Sequence, residues 1–139
     1  MKRLVIDASV AAKCVLIEDH TEAARRIVRT RKLYAPELLW AELGSVVWAR
    51  RRRGEFGVPY AREMLAELRM LPIRTHPVLP LLSAALDVAM AVDHSLYDCL
   101  YLALAEAEDC RVVTADRRFL RSVRGGVWSD RIVWIEDVT

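Results

Sequence analysis

Residues 96–116 read LYDCLYLALAEAEDCRVVTAD, an apolar stretch of helical character that gives way to a short β-branched run. From Leu96 to Glu108 apolar side chains fill nearly every position, which fits a helix buried over most of its circumference. Residues 111–116 are too few for a helix, and their adjacent valines fit a strand buried on both faces. One residue is out of place. Asp98 shares its helical face with Tyr101, Leu102 and Ala105, and a buried carboxylate is normally paired, bound to a cation or held protonated.

The same alternation extends to both ends of the chain. LVID at 4–7 reads as a buried strand, followed by a helix near 10–17, a second over 21–32 and a short strand at 33–35. Pro36 is expected to open a helix over 37–53 that Gly54 closes. A helix over 58–71, a strand at 72–76 and a helix over 78–92 lead back to the opening stretch. A short basic helix follows residue 116, and RIVWIED at 131–137 supplies the last strand. Strands alternating with helices predict a three-layer α/β/α sandwich around a mostly parallel central sheet.

Composition narrows the function classes. A chain of 139 residues suits one domain spanning 1–139, burying roughly 68% of the surface its unfolded form exposes. With 54% hydrophobic and 29% charged residues it has no disordered, collagen-like or repeat signature. The start, MKRLVID, is basic like a signal peptide, but Asp7 and Lys13 interrupt the apolar core such a segment needs. The longest apolar stretch, 77–92, contains Asp87 and two prolines and is shorter than the roughly 20 residues that span a bilayer. A soluble, cytoplasmic protein with no membrane partner is expected. Three cysteines without C-x-x-C spacing and three scattered histidines make no zinc pattern, so the cysteines are expected to be reduced core residues.

Net charge is +2 and the pI about 8.6, too mild to mark a dedicated nucleic-acid binder. Distribution is more informative: Arg50, Arg51, Arg52 and Arg53 form a run, and Arg117, Arg118, Arg121 and Arg124 recur further on. A basic run at a helix C-terminus complements the dipole, and it also suits RNA phosphate contacts; both readings remain open for Arg50 to Arg53.

In open parallel sheets ligands gather beyond the carboxyl ends of the strands. Asp7 ends the first strand and Asp116 the fourth, while Glu42, spaced with Leu39, Leu43 and Val46, faces inward from a helix as Asp98 does. Local explanations exist. Asp7 and Asp116 can N-cap the helices that follow, and Ser95 with Asp98 has capping-box spacing. If all four converge, their mutual repulsion requires a cation among them. Oxygen-only ligands select Mg2+, or Mn2+, over zinc or copper, and such sites serve phosphoryl chemistry. Ser9 and Thr114, each two residues from an aspartate, are placed to hydrogen-bond a carboxylate.

VIDASV near the N-terminus, the acid in PELLWAE, YDCLYLALA and VTADRRF occur in the order of a PIN domain. The chain most resembles the VapC toxin ribonucleases of type II toxin–antitoxin pairs, over essentially its whole length. The resemblance implies a Mg2+-dependent endoribonuclease that hydrolyses RNA through metal-activated water, leaving a 5′-phosphate and a 3′-hydroxyl. It also implies a cognate VapB-like antitoxin and a homodimer. The family's acidic positions match Asp7, Glu42, Asp98 and Asp116, its hydroxyl positions resemble Ser9 and Thr114, and Asp93 is an extra acid nearer a helix boundary. A haloacid-dehalogenase phosphatase fits less well, because it needs an acid or threonine where Ser9 stands. The alternative is a catalytically inactive PIN-like RNA-binding or assembly module, whose usual sign is a missing acid. Trp40, Gly44, Val47 and Trp48 form a second apolar stripe on the 37–53 helix, so it is either fully buried or docked to the antitoxin or a second protomer.

Overall fold

The computed structural model describes residues 1–139. Five short strands form one parallel sheet: β1 (Arg3–Ile6), β2 (Lys32–Pro36), β3 (Ile73–His76), β4 (Arg111–Thr114) and β5 (Ile132–Trp134), in the order β3-β2-β1-β4-β5. The helices are α1 (Ala8–Ala11), α2 (Thr21–Thr30), α3 (Leu38–Arg52), α4 (Val58–Leu68), α5 (Leu82–Val92), α6 (Leu96–Ala107) and α7 (Arg117–Val123). The chain steps outward from β1 to β3, then crosses back to β4. With right-handed crossovers, that reversal puts the helices before it and those after it on opposite faces. Packing agrees: α6 lies across β1, β2 and β4 with α5 against it, while α3 packs on α1 and α4. The expected three-layer α/β/α sandwich is the observed one.

The burial of α6 explains its composition. Every residue from Cys99 to Ala105 is buried, because the helix is enclosed by the sheet on one side and α5 on the other. No single helix is long and apolar enough to cross a membrane. Cys14 and Cys99 are buried free thiols, both pushed up to about 11 chiefly by burial, and Cys110 is half-buried and unpaired with another cysteine.

Several boundaries differ from the sequence expectation. Pro36 does not open a helix; it closes β2 opposite His76, and α3 starts at Leu38. Proline has no amide to give the ladder and is tolerated at a strand end, where the Glu37 amide makes the next bond, to the His76 carbonyl at 2.8 Å. The helix expected over 10–17 is shorter and earlier: α1 starts directly after Asp7 and tightens into a 3-10 turn over Ala12–Cys14. β5 stops at Trp134, with a 3-10 turn over Ile135–Asp137.

The reversal of strand order lies between β1 and β4. A crevice opens beyond the carboxyl ends of such a pair, and Asp7 and Asp116 stand on its two sides.

Candidate functional site

The segments after β1 and β4 meet one side of α3, from Leu38 to Ala49, and the first turn of α6 over this crevice. Asp7, Ser9, Glu42, Asp98 and Asp116 all line one open cleft of about 630 Å³, with Leu38, Val46, Ala49 and Tyr97 as apolar wall. The four acids named from the sequence therefore face one space. Thr114 lies beneath it, fully buried at the end of β4.

Each carboxylate is fixed through one oxygen. Asp7 Oδ2 accepts hydrogen bonds from Ser9 Oγ and Thr114 Oγ1, both at 2.8 Å. Those hydroxyls in turn accept from the β4–α7 turn: Ser9 Oγ from the Ala115 amide and Thr114 Oγ1 from the Asp116 amide, each at 3.0 Å. With one proton apiece, both directed at Asp7, the two hydroxyls tie the end of β1 to the end of β4. Asp116 Oδ1 accepts from the Arg118 amide at 2.9 Å and the Phe119 amide at 3.4 Å, capping α7. Glu42 Oε1 accepts from the Tyr101 hydroxyl, and Asp98 Oδ2 lies 2.6 Å from His94 Nε2. In every case the other oxygen receives no protein hydrogen bond, and none of those oxygens is sealed from solvent.

The capping explanations divide accordingly. Asp7 precedes α1 but its side chain caps nothing. Asp116 is a cap and still turns its second oxygen free, so capping and lining the cleft are compatible roles for it. At α6, Ser95 caps through the Tyr97 and Asp98 amides, but the Asp98 side chain goes to His94 and leaves the box half-made.

Electrostatics sets the cleft apart. Burial raises the Asp7 carboxyl to about 7, and the neighbouring Asp98 and Glu42 add to it against the pull of the Thr114 and Ser9 hydrogen bonds. Burial also raises Glu42, with Asp98 adding repulsion and the Tyr101 hydrogen bond opposing. Asp98 is raised by burial most of all, in spite of His94, with Asp116 contributing. None of the four pairs with a lysine or arginine, in a chain that has 21 such residues.

The donor set therefore suits a hard divalent cation: oxygen only, several negative charges, and repulsion that a cation relieves. As they stand, no three acidic, histidine or cysteine side chains are grouped tightly enough to grip one ion, each acid being turned toward its own hydrogen-bond partner.

Two participants were absent from the sequence reading. Tyr101 is fully buried yet reaches Glu42 from α6, a contact across 59 positions that no local pattern encodes. His94 did carry a signal, its i, i+4 spacing from Asp98. The arginine run proves heterogeneous. Arg50 bonds Glu55 at 2.9 Å and pairs with Glu18 at 3.5 Å, Arg53 joins Glu55 at 2.8 Å, and Arg52 stacks over Trp48. Arg51 and Arg52 are exposed and pair with no carboxylate. The second stripe of α3 is split, with Val47 buried and Trp48 61% exposed.

Comparison with known proteins gives consistent matches. A family model described as PIN domain matches residues 4–124. The chain is 32% identical over 115 residues to Ribonuclease VapC9 of Mycobacterium tuberculosis, covering 83% of this chain and 87% of that protein. It is 31% identical over 119 residues to Ribonuclease VapC3 of Pyrobaculum aerophilum, covering 84% and 91%. Its fold resembles the crystal structure of PAE2754 from Pyrobaculum aerophilum with a TM-score of 0.72, at 24% identity over 97% of this chain and 85% of that one.

Proposed function

Because the chain belongs to the PIN domain family, we propose that it is a Mg2+-dependent endoribonuclease toxin whose cleft acids Asp7, Glu42, Asp98 and Asp116 hold the metal and carry the reaction. The observation that most supports this reading is the cleft's charge: four carboxylates, each fixed through one oxygen with the other left free, and no lysine or arginine paired with any of them. A divalent ion held by these acids, Mg2+ or Mn2+, would supply activation of the attacking water and stabilisation of the leaving oxygen at phosphorus. Asp7 is held by two hydroxyls, Ser9 from the start of α1 and Thr114 from the end of β4. Tyr101 holds Glu42 through one hydrogen bond, which sets the α3 acid toward the acids that follow β1 and β4. Arg51 and Arg52, about two and a half to three turns beyond Glu42 along α3 and unpaired with acids, are the members of the run free to meet RNA phosphates.

The relatives named VapC support the wider reading of a cytoplasmic toxin that acts on RNA and is neutralised by a VapB-like antitoxin. Protein partners also suit the surface: Leu82, Leu86 and Met90 are exposed along one face of α5, and Trp48 is exposed on α3, which gives a homodimer or an antitoxin apolar area to cover.

Incubating the purified protein with total RNA in Mg2+, with and without chelator, and mapping new 5′ ends tests the reading. Defined 5′-phosphate ends are expected only with metal, and Asp7→Asn should cut their yield by ~100-fold or more. Equal cleavage by Asp7→Asn, or none by wild type, overturns it in favour of an inactive RNA-binding or assembly module.

A further inference from the structure

Resting on that reading of the cleft, we infer that His94 is a positioning residue for Asp98, fixing which carboxylate oxygen is offered to the metal. The ring sits in the turn between α5 and α6 and is held on three sides. Nε2 lies 2.6 Å from Asp98 Oδ2, Nδ1 lies 3.0 Å from Ser122 Oγ on α7, and the imidazole stacks on Phe119 with centroids 5.3 Å apart and planes 8° from parallel.

The protons can be assigned by counting. A carboxylate only accepts, so the contact with Asp98 places the hydrogen of the neutral imidazole on Nε2, and Nδ1 accepts from Ser122 Oγ, which also lies 2.9 Å from the Arg118 carbonyl. With Nδ1 and the ring plane both fixed from α7, Nε2 has one direction left, toward Asp98. That contact engages Oδ2 and leaves Oδ1 as the free oxygen at the cleft. The relay has a second consequence. Ser122 is on the helix that Asp116 caps, so Asp98, His94 and Ser122 tie the α6 acid to the α7 acid by side-chain contacts, as Ser9 and Thr114 tie the ends of β1 and β4. Partners of this kind, which orient a metal ligand without touching the metal, commonly change affinity by about 10- to 100-fold when removed.

Mn2+ binding to the purified, metal-stripped full chain, followed by electron paramagnetic resonance, tests this without any turnover. His94→Leu should weaken Mn2+ binding ~10-fold or more. His94→Gln, which keeps an N–H donor of similar reach, should recover most of that loss. Ser122→Ala should shift affinity less and in the same direction, and it carries the test if His94→Leu does not fold. The decisive arm is the pair with Asp98→Asn: in that background His94→Leu should cause no further loss, whereas a residue that only supports the fold would cost the same with or without Asp98. Wild-type affinity in folded His94→Leu or in Ser122→Ala, or an undiminished loss in the Asp98→Asn background, overturns the role of His94 while leaving the metal site standing. A wild type that binds no Mn2+ overturns the site itself, and this inference with it.

Discussion

At the amino edge of the sheet, acids and bases come together in pairs. Arg3 meets Glu108 at 3.3 Å, and Arg131 meets Asp109 at 2.9 Å while also donating to the Cys110 carbonyl. At the carboxyl edge the acids come together with each other. Asp7, Glu42 and Asp98 are all raised by burial and mutual repulsion, and their hydrogen-bond partners are hydroxyls and one imidazole, never a lysine or arginine. The same strands run between both edges, so the difference is not a matter of fold. The amino edge is arranged for stability; the carboxyl edge keeps charges that a stable fold would neutralise, as expected where a ligand completes the electrostatics.

Changing pH should separate the edges most strongly. The Asp7 carboxyl stands at about 7 in the folded protein against an ordinary 3.8. A raised folded value means that the native state holds its proton more tightly than the unfolded chain, so the stability this gives is complete below pH 4 and is lost as pH rises through 7. Without metal, the loss between those limits is on the order of 4 kcal/mol for this group. Urea unfolding in chelator at pH 5 and pH 8 should show the fall, and Asp7→Asn should flatten it. An equal slope in that variant would remove the contrast between the edges.

A smaller effect sharpens the contrast at one hydrogen bond. Tyr101→Phe leaves Glu42 half-buried with no donor and should lower stability by about 1–2 kcal/mol in urea unfolding. Stability equal to wild type would mean that Glu42 is not held by Tyr101. The smallest effect belongs to the amino edge. Asp109→Asn removes the charge facing Arg131 while tolerating the left-handed backbone there, φ 49°. Since that carboxylate is 89% exposed, the cost should be at most about 1 kcal/mol, with an unchanged response to Mg2+. A larger cost, or an altered metal response, would show that the two edges are coupled.

The carboxyl edge was legible in the sequence because its acids occupy positions that pattern defines: two follow β-branched runs, and two interrupt apolar helical faces. The fold was legible for a related reason, since β1 and β4 carry adjacent apolar residues that only a doubly covered sheet can bury. What holds the acids was harder to read. Tyr101 looks like core in any window around it, and Ser122 looks like an exposed helical serine until α7 is placed beside His94. Proline suits a first helical position and a strand end equally, and for Pro36 the choice depends on β3 pairing with β2, a contact across about 40 positions. The end of β5 is hidden in the sequence because IVWIED keeps an apolar rhythm through Ile135, where the backbone has already turned into a 3-10 helix.

Thermal melts of wild type and Asp7→Asn at pH 8, in chelator and across a Mg2+ titration, test the cation-site claim most directly. Asn keeps an oxygen for Ser9 and Thr114 but lacks the charge, so in chelator Asp7→Asn should melt above wild type. Mg2+ bound only by the folded state should then raise wild type by RT ln(1 + [L]/Kd), about 2.7 kcal/mol at a hundredfold excess over Kd, and raise the variant far less. A variant that melts below wild type in chelator and gains as much from Mg2+ would contradict the claim, and Asp7 would be a structural aspartate at the end of a strand.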